Sequence, residues 1–113
     1  MNEHPIQNID QIDILGRRKD GGIDLVVVVS GPLENIADHL ERVEAKIRAY
    51  IRELSSPEFL EQFPTNSASR QILLATEYSI DPTVLALIDS LRRLAAEAGA
   101  TLQIVTSEYF SKS

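Results

Sequence analysis

Residues Ile23–Glu34 read IDLVVVVSGPLE, and their reading decides the fold. The run from Ile23 to Val29 is apolar and rich in β-branched side chains, the composition of a strand. At Ser30-Gly31-Pro32 the spacing changes. Leu33, Ile36, Leu40, Val43, Ile47, Ile51 and Leu54 recur every three or four residues, which marks one face of a long helix. Pro32 suits its first position, where a missing N–H costs nothing. Asp38–Arg42 and Glu44–Arg48 have the i,i+4 spacing of helix ion pairs.

Upstream, GRRKDGG at Gly16–Gly22 carries the Asp-Gly pair and the glycines of a tight reversal. Before it, Ile9, Ile12 and Ile14 stand among Asp10, Gln11 and Asp13, a partly alternating strand that ends near Leu15. These two strands form an antiparallel hairpin. Downstream, Ser55-Ser56-Pro57 stops the helix, and Ser56 can cap a short turn through Phe59, Leu60 and Phe63. Arg70–Tyr78 reads as a third strand. Asp81-Pro82 opens a second long helix, with Val84, Ile88, Leu91, Ala95 and Ala98 on one stripe and Gly99 as its terminator. Thr101–Thr106 is the fourth strand.

The order ββαβαβ, with right-handed crossovers, predicts an α/β (α+β) two-layer sandwich. A four-stranded mixed sheet carries two helices on one face, and 1-2-3-4 is its simplest strand order. Residues 9–106 make a single domain, between a flexible arm at 1–8 and a tail at 107–113.

One face of such a sheet meets water, so its strands should alternate apolar and polar. The second strand does not. With Ile23, Leu25, Val27 and Val29 turned to the helices, Val26 and Val28 lie on the back beside Asp24. Leu73, Ala75 and Val105 join them there, with Leu15 as a further member and Glu77 and Gln103 at the flanks. Val26, Val28, Leu73, Ala75 and Val105 are therefore the candidate interface, because a bare apolar patch invites association. Three covers are open: the tail with Tyr109 and Phe110 or the PEFLEQF turn, a second copy of the chain, or another protein.

Composition narrows the classes. The chain has 113 residues, 43% hydrophobic and 25% charged, as in one globular domain. It has no cysteine, which suits a reducing compartment. The first residues lack the pattern of a secretory signal, and no apolar run nears the roughly 20 residues of a membrane span. A cytoplasmic protein without membrane contact is expected. The net charge of −6 disfavours nucleic acid, whose phosphates attract excess Lys and Arg.

No chemistry-bearing motif stands out. Arg17-Arg18-Lys19 reads as a solvated turn tip. His39 lacks the converging ligands of a metal site, so no metal or cofactor is expected. Asp10, Asp13 and Asp24 could meet across the hairpin, but solvation at the sheet rim explains them more simply. Ser55, Ser56, Ser67 and Ser69 lack a positioned base. The SGP turn lacks the glycine patterns of phosphate loops. Tyr50, Phe59, Phe63 and Tyr78 form a candidate pocket under the loop at 55–69.

The opening IDQIDILG (Ile9–Gly16), the helix segment HLERVEAKIRAYI (His39–Ile51), SSPEFLEQFP (Ser55–Pro64) and EAGATLQI (Glu97–Ile104) together resemble a small uncharacterised bacterial family, catalogued as domain of unknown function 6572. The resemblance spans residues 9–106 and implies the α/β fold; it implies no activity. The expected role is a non-enzymatic binding or accessory protein, homodimeric or joined to another protein. An immunity-like inhibitor of a basic partner and a small-ligand-binding domain are the alternatives.

Overall fold

A computed structural model of the chain describes residues 6, 12–19, 22–62 and 70–106. Along it run β1 (Ile14–Arg17), β2 (Ile23–Val28), α1 (Ala37–Ser55), α2 (Pro57–Gln62), β3 (Arg70–Ala75), α3 (Pro82–Glu97) and β4 (Ala100–Val105). The sheet has the order β1-β2-β3-β4. β1 is antiparallel to β2, and the other pairs are parallel. This is the mixed four-stranded sheet that the order of elements predicts.

Register puts alternate residues of neighbouring strands in rows. Leu25, Ile72 and Leu102 align, and the next row on that face is Val27, Leu74 and Ile104. These face α1 and α3, whose Val43, Ile47, Leu54, Val84, Ile88 and Leu91 complete the main core. Full burial of such side chains contributes about 1.5–3 kcal/mol each. The back carries the alternate rows: Asp24, Gln71 and Thr101; then Val26, Leu73 and Gln103; then Val28, Ala75 and Val105. Polarity therefore falls along the back face toward the carboxyl ends of the parallel strands.

α1 starts at Ala37, five residues later than Pro32. In between, Leu33 bridges to Ile80 as a parallel partner, and the chain then bends at Asn35, with Ile36 N–H donating to the Glu34 carbonyl at 2.8 Å. Leu33 N–H donates to the Ser79 carbonyl at 3.1 Å and the Asp81 N–H to the Leu33 carbonyl at 2.8 Å. Leu33 is buried in either conformation, so its place in the helical spacing carries no information about where the helix begins. The imidazole Nδ1 of His39 accepts from the Glu34 N–H at 3.0 Å and ties this entry segment to the first turn.

Termination follows local chemistry. Arg70 Nη1 donates to the Leu54 carbonyl at 2.9 Å, satisfying the C-terminal end of α1. Ser56 Oγ accepts from Phe59 N–H at 3.1 Å and starts α2. The Asp81 carboxylate caps α3 through Thr83 N–H at 2.8 Å. Gly99, at φ +81°, takes the left-handed position that ends α3. Arg92 Nε donates to the Leu102 carbonyl at 3.1 Å, which ties α3 to β4. Glu44–Arg48 is present as an exposed ion pair at 2.8 Å. Arg42 Nη1 donates to the Ile6 carbonyl at 3.2 Å.

Two further placements differ from the sequence reading. Ile6, assigned to a flexible arm, is fully buried in the main core. An isolated apolar residue among polar ones has no period to reveal its burial. Leu15 packs against the main core, and Ile14 takes the back-face position beside Val26, because the register pairs Ile14 with Val26.

Candidate functional site

The β2–β3 ladder opens and closes again beyond its regular part. Val29 N–H donates to the Ala75 carbonyl at 3.0 Å, and further along Leu33 N–H donates to the Ser79 carbonyl at 3.1 Å. Where they part, the back face holds a groove of about 300 Å³. Val26, Val28, Val29 and Ala75 make its apolar lining. Ile14 and Tyr78 stand on its sides, and Thr76 and Glu77 supply the polar groups.

Six large apolar side chains are exposed among the described residues, and three of them meet here: Ile14 at 50%, Val28 at 41% and Tyr78 at 49%. The others, Ile36, Leu60 and Leu85, lie on separate elements. Scattered exposed hydrophobes mean little, but three on one groove make it the candidate site.

Thr76 is 6% exposed. Its N–H donates to the Val105 carbonyl at 3.0 Å, and its Oγ1 accepts from Tyr78 N–H at 3.0 Å. The hydroxyl proton has no acceptor among the described residues. A buried hydroxyl with a proton to give is a directional feature in an otherwise apolar lining.

A polar network behind the groove holds it in shape. Lys46 is fully buried, and its ammonium lies 2.6 Å from Asp13 Oδ1. Asp13 Oδ2 accepts from Val28 N–H at 2.9 Å. Asp13 N–H donates to Tyr50 Oη at 2.8 Å, and the Tyr50 hydroxyl donates to the Val26 carbonyl at 3.1 Å. The same ammonium lies 5.8 Å from the Tyr50 ring centre. One carboxylate thus joins the entry to β1, the end of β2 and α1, and it fixes the backbone that presents Ile14 and Val28. Burial pushes the Tyr50 phenol up to about 12, opposed by the Asp13 N–H and reinforced by the Asp13 charge. Sequence offered one signal for this network: Lys46 sits on the buried stripe of α1, between Val43 and Tyr50.

The candidate interface residues divide. Val26, Leu73 and Val105 are 2%, 0% and 8% exposed and form a small cluster of their own, with Ala75 packed against it. Val28 alone of the five is exposed. No helical side chain among the described residues belongs to this cluster. α2 does not cover the back face, since Phe59 lies in the main core. Tyr109 and Phe110 lie outside the described residues.

The candidate pocket is not assembled. Tyr50 and Phe59 are core residues on the helix side, Tyr78 stands in the groove on the back, and Phe63 lies outside the described residues. Tyr78 follows the end of β3, where strand alternation no longer assigns a face.

Other candidates resolve locally. Asp24 pairs with Arg18, whereas Asp13 pairs with Lys46, so these carboxylates do not act together. Asp10, Ser67 and Ser69 lie outside the described residues. Ser55 Oγ donates to the Ile51 carbonyl at 3.1 Å. No group of three or more His, Cys, Asp or Glu among the described residues could hold a metal ion. The cleft of about 380 Å³ beside Leu33 and Ile80 is lined by Glu34 and Asp81, whose charges would repel an anion. None of the described helices is long and apolar enough to cross a membrane.

The fold is a small two-layer α+β arrangement with an apolar groove at one end of its sheet. Residues 4–108 match the family of unknown function DUF6572, and the chain belongs to that family. No curated protein matches the chain, and no solved structure does.

Proposed function

We propose that the protein is a non-enzymatic binding protein that engages a protein partner through the groove on the back of the sheet. The convergence of Ile14, Val28 and Tyr78 carries this reading. The net charge of −6 favours a basic partner, as for an inhibitor that shields a basic protein. Sheet-to-sheet homodimerisation loses support because three of its five contact residues are already buried.

The test compares Val28→Asp and Tyr78→Asp with a control, Leu85→Asp, at an exposed site on α3. Proteins retained from the native host by wild type and by the control, and lost with both groove variants, support the proposal. Retention that is unchanged across all four chains would falsify it. Light scattering on the same samples separates the occupants. A wild-type dimer that becomes monomeric only in the groove variants identifies the partner as a second copy.

A further inference from the structure

The occupant of the groove can be described from its chemistry, resting on the reading just given. We infer that it is an extended segment of a basic partner protein. One aromatic or branched aliphatic side chain sits between Ile14, Val28 and Tyr78, and an adjoining backbone carbonyl accepts from the Thr76 hydroxyl.

Size excludes a broad face. A standard stable interface buries about 800 Å² on each partner, whereas pockets of about 300–1,000 Å³ enclose one compact group up to the size of a drug-like ligand. The groove, at about 300 Å³, is at the lower end of that range. The neighbouring back-face residues that could enlarge it, Leu73 and Val105, offer almost no surface. A single inserted anchor fits this space; a second copy stacked on the sheet does not.

Polarity selects the backbone conformation. Thr76 Oγ1 already accepts from Tyr78 N–H and keeps its proton to donate. The complementary group is an acceptor beside an apolar side chain. Helical backbone uses its carbonyls internally, but extended backbone presents one next to each side chain. Charge selects the flanks. The net charge of −6 attracts cationic segments, and Glu77 lines the groove.

The experiment titrates isotope-labelled full-length chain with capped pentapeptides and follows backbone amide shifts. The probes are Lys-Gly-Phe-Gly-Lys, Glu-Gly-Phe-Gly-Glu and Lys-Gly-Ser-Gly-Lys. The first should shift the amides of Val28, Val29, Thr76, Glu77 and Tyr78, and bind about tenfold more tightly than either other peptide at low salt. Thr76→Val should weaken it about five- to tenfold, and Thr76→Ser should restore it. Equal binding of the acidic and basic peptides overturns the basic partner. Unchanged binding by Thr76→Val overturns the hydroxyl contact. If no peptide binds, the apolar dye bis-ANS decides between the two levels. Dye binding that Val28→Asp abolishes leaves the groove standing as a contact site and removes the extended segment. No dye binding removes both.

Discussion

The two faces of this sheet are made by the same strands, yet they do different work. On the helix face, Leu25, Val27, Ile72 and Leu74 merge with α1 and α3 into one continuous core. On the back, Val26, Leu73 and Val105 form a cluster of three, and among the described residues large apolar side chains reach solvent at one end. Stability is concentrated on the first face, and the exposed apolar side chains belong to the end of the second. The Asp13–Lys46–Tyr50 network connects them, since Lys46 and Tyr50 come from the helix layer and Asp13 holds Val28 on the back.

Breaking that connection should have the largest effect. Asp13→Ala removes the carboxylate beside the buried Lys46 ammonium and takes the acceptor from Val28 N–H, a loss of about 3 kcal/mol or more in urea unfolding. A loss below about 1 kcal/mol would mean that the two faces are fixed independently. Next in size, Leu74→Ala should cost about 3–4 kcal/mol and Leu73→Ala about 2–3 kcal/mol, because the smaller cluster can collapse more completely. Equal losses would erase the energetic contrast between the faces.

Alkaline unfolding probes the network from the helix side. Tyr50 has a folded value of about 12 against 10.0 for the free phenol. Between these values the unfolded chain releases a proton that the folded chain retains. Stability should therefore fall as pH rises from 10.0 to about 12, and the fall should be shallower in Tyr50→Phe. Identical slopes would show that the phenol does not couple to folding. The smallest change belongs to the groove. Tyr78→Ala and Val28→Ser should each shift unfolding by about 0.5–1 kcal/mol or less, as expected of half-exposed side chains. A larger cost would make the groove part of the structural core.

Sequence made the architecture legible because helices and strands impose different periods on the same apolar residues. Leu91 and Ala95 could only belong to a helix stripe, and the β-branched run before Ser30 could only be a strand. Periodicity names a face without stating what lies over it. Hence Val26 and Val28 looked equivalent, although one is buried and the other exposed. Leu33 satisfied both an extended and a helical reading. Ile6 and Tyr78 stand outside any repeating pattern, so only the folded chain shows that one joins the core and the other the groove. The sequence reading does not single out Lys46, whose carboxylate partner lies 33 positions away in sequence.

The Arg92 bond to the Leu102 carbonyl has a consequence for assembly. β4 is the last strand of the sheet, and this carbonyl is one that a neighbouring molecule would need in order to add a strand. An endless fibre requires every subunit to offer two open seams, and Arg92 places a latch on one of them. A strand added at β4 would first have to displace Arg92 from that carbonyl.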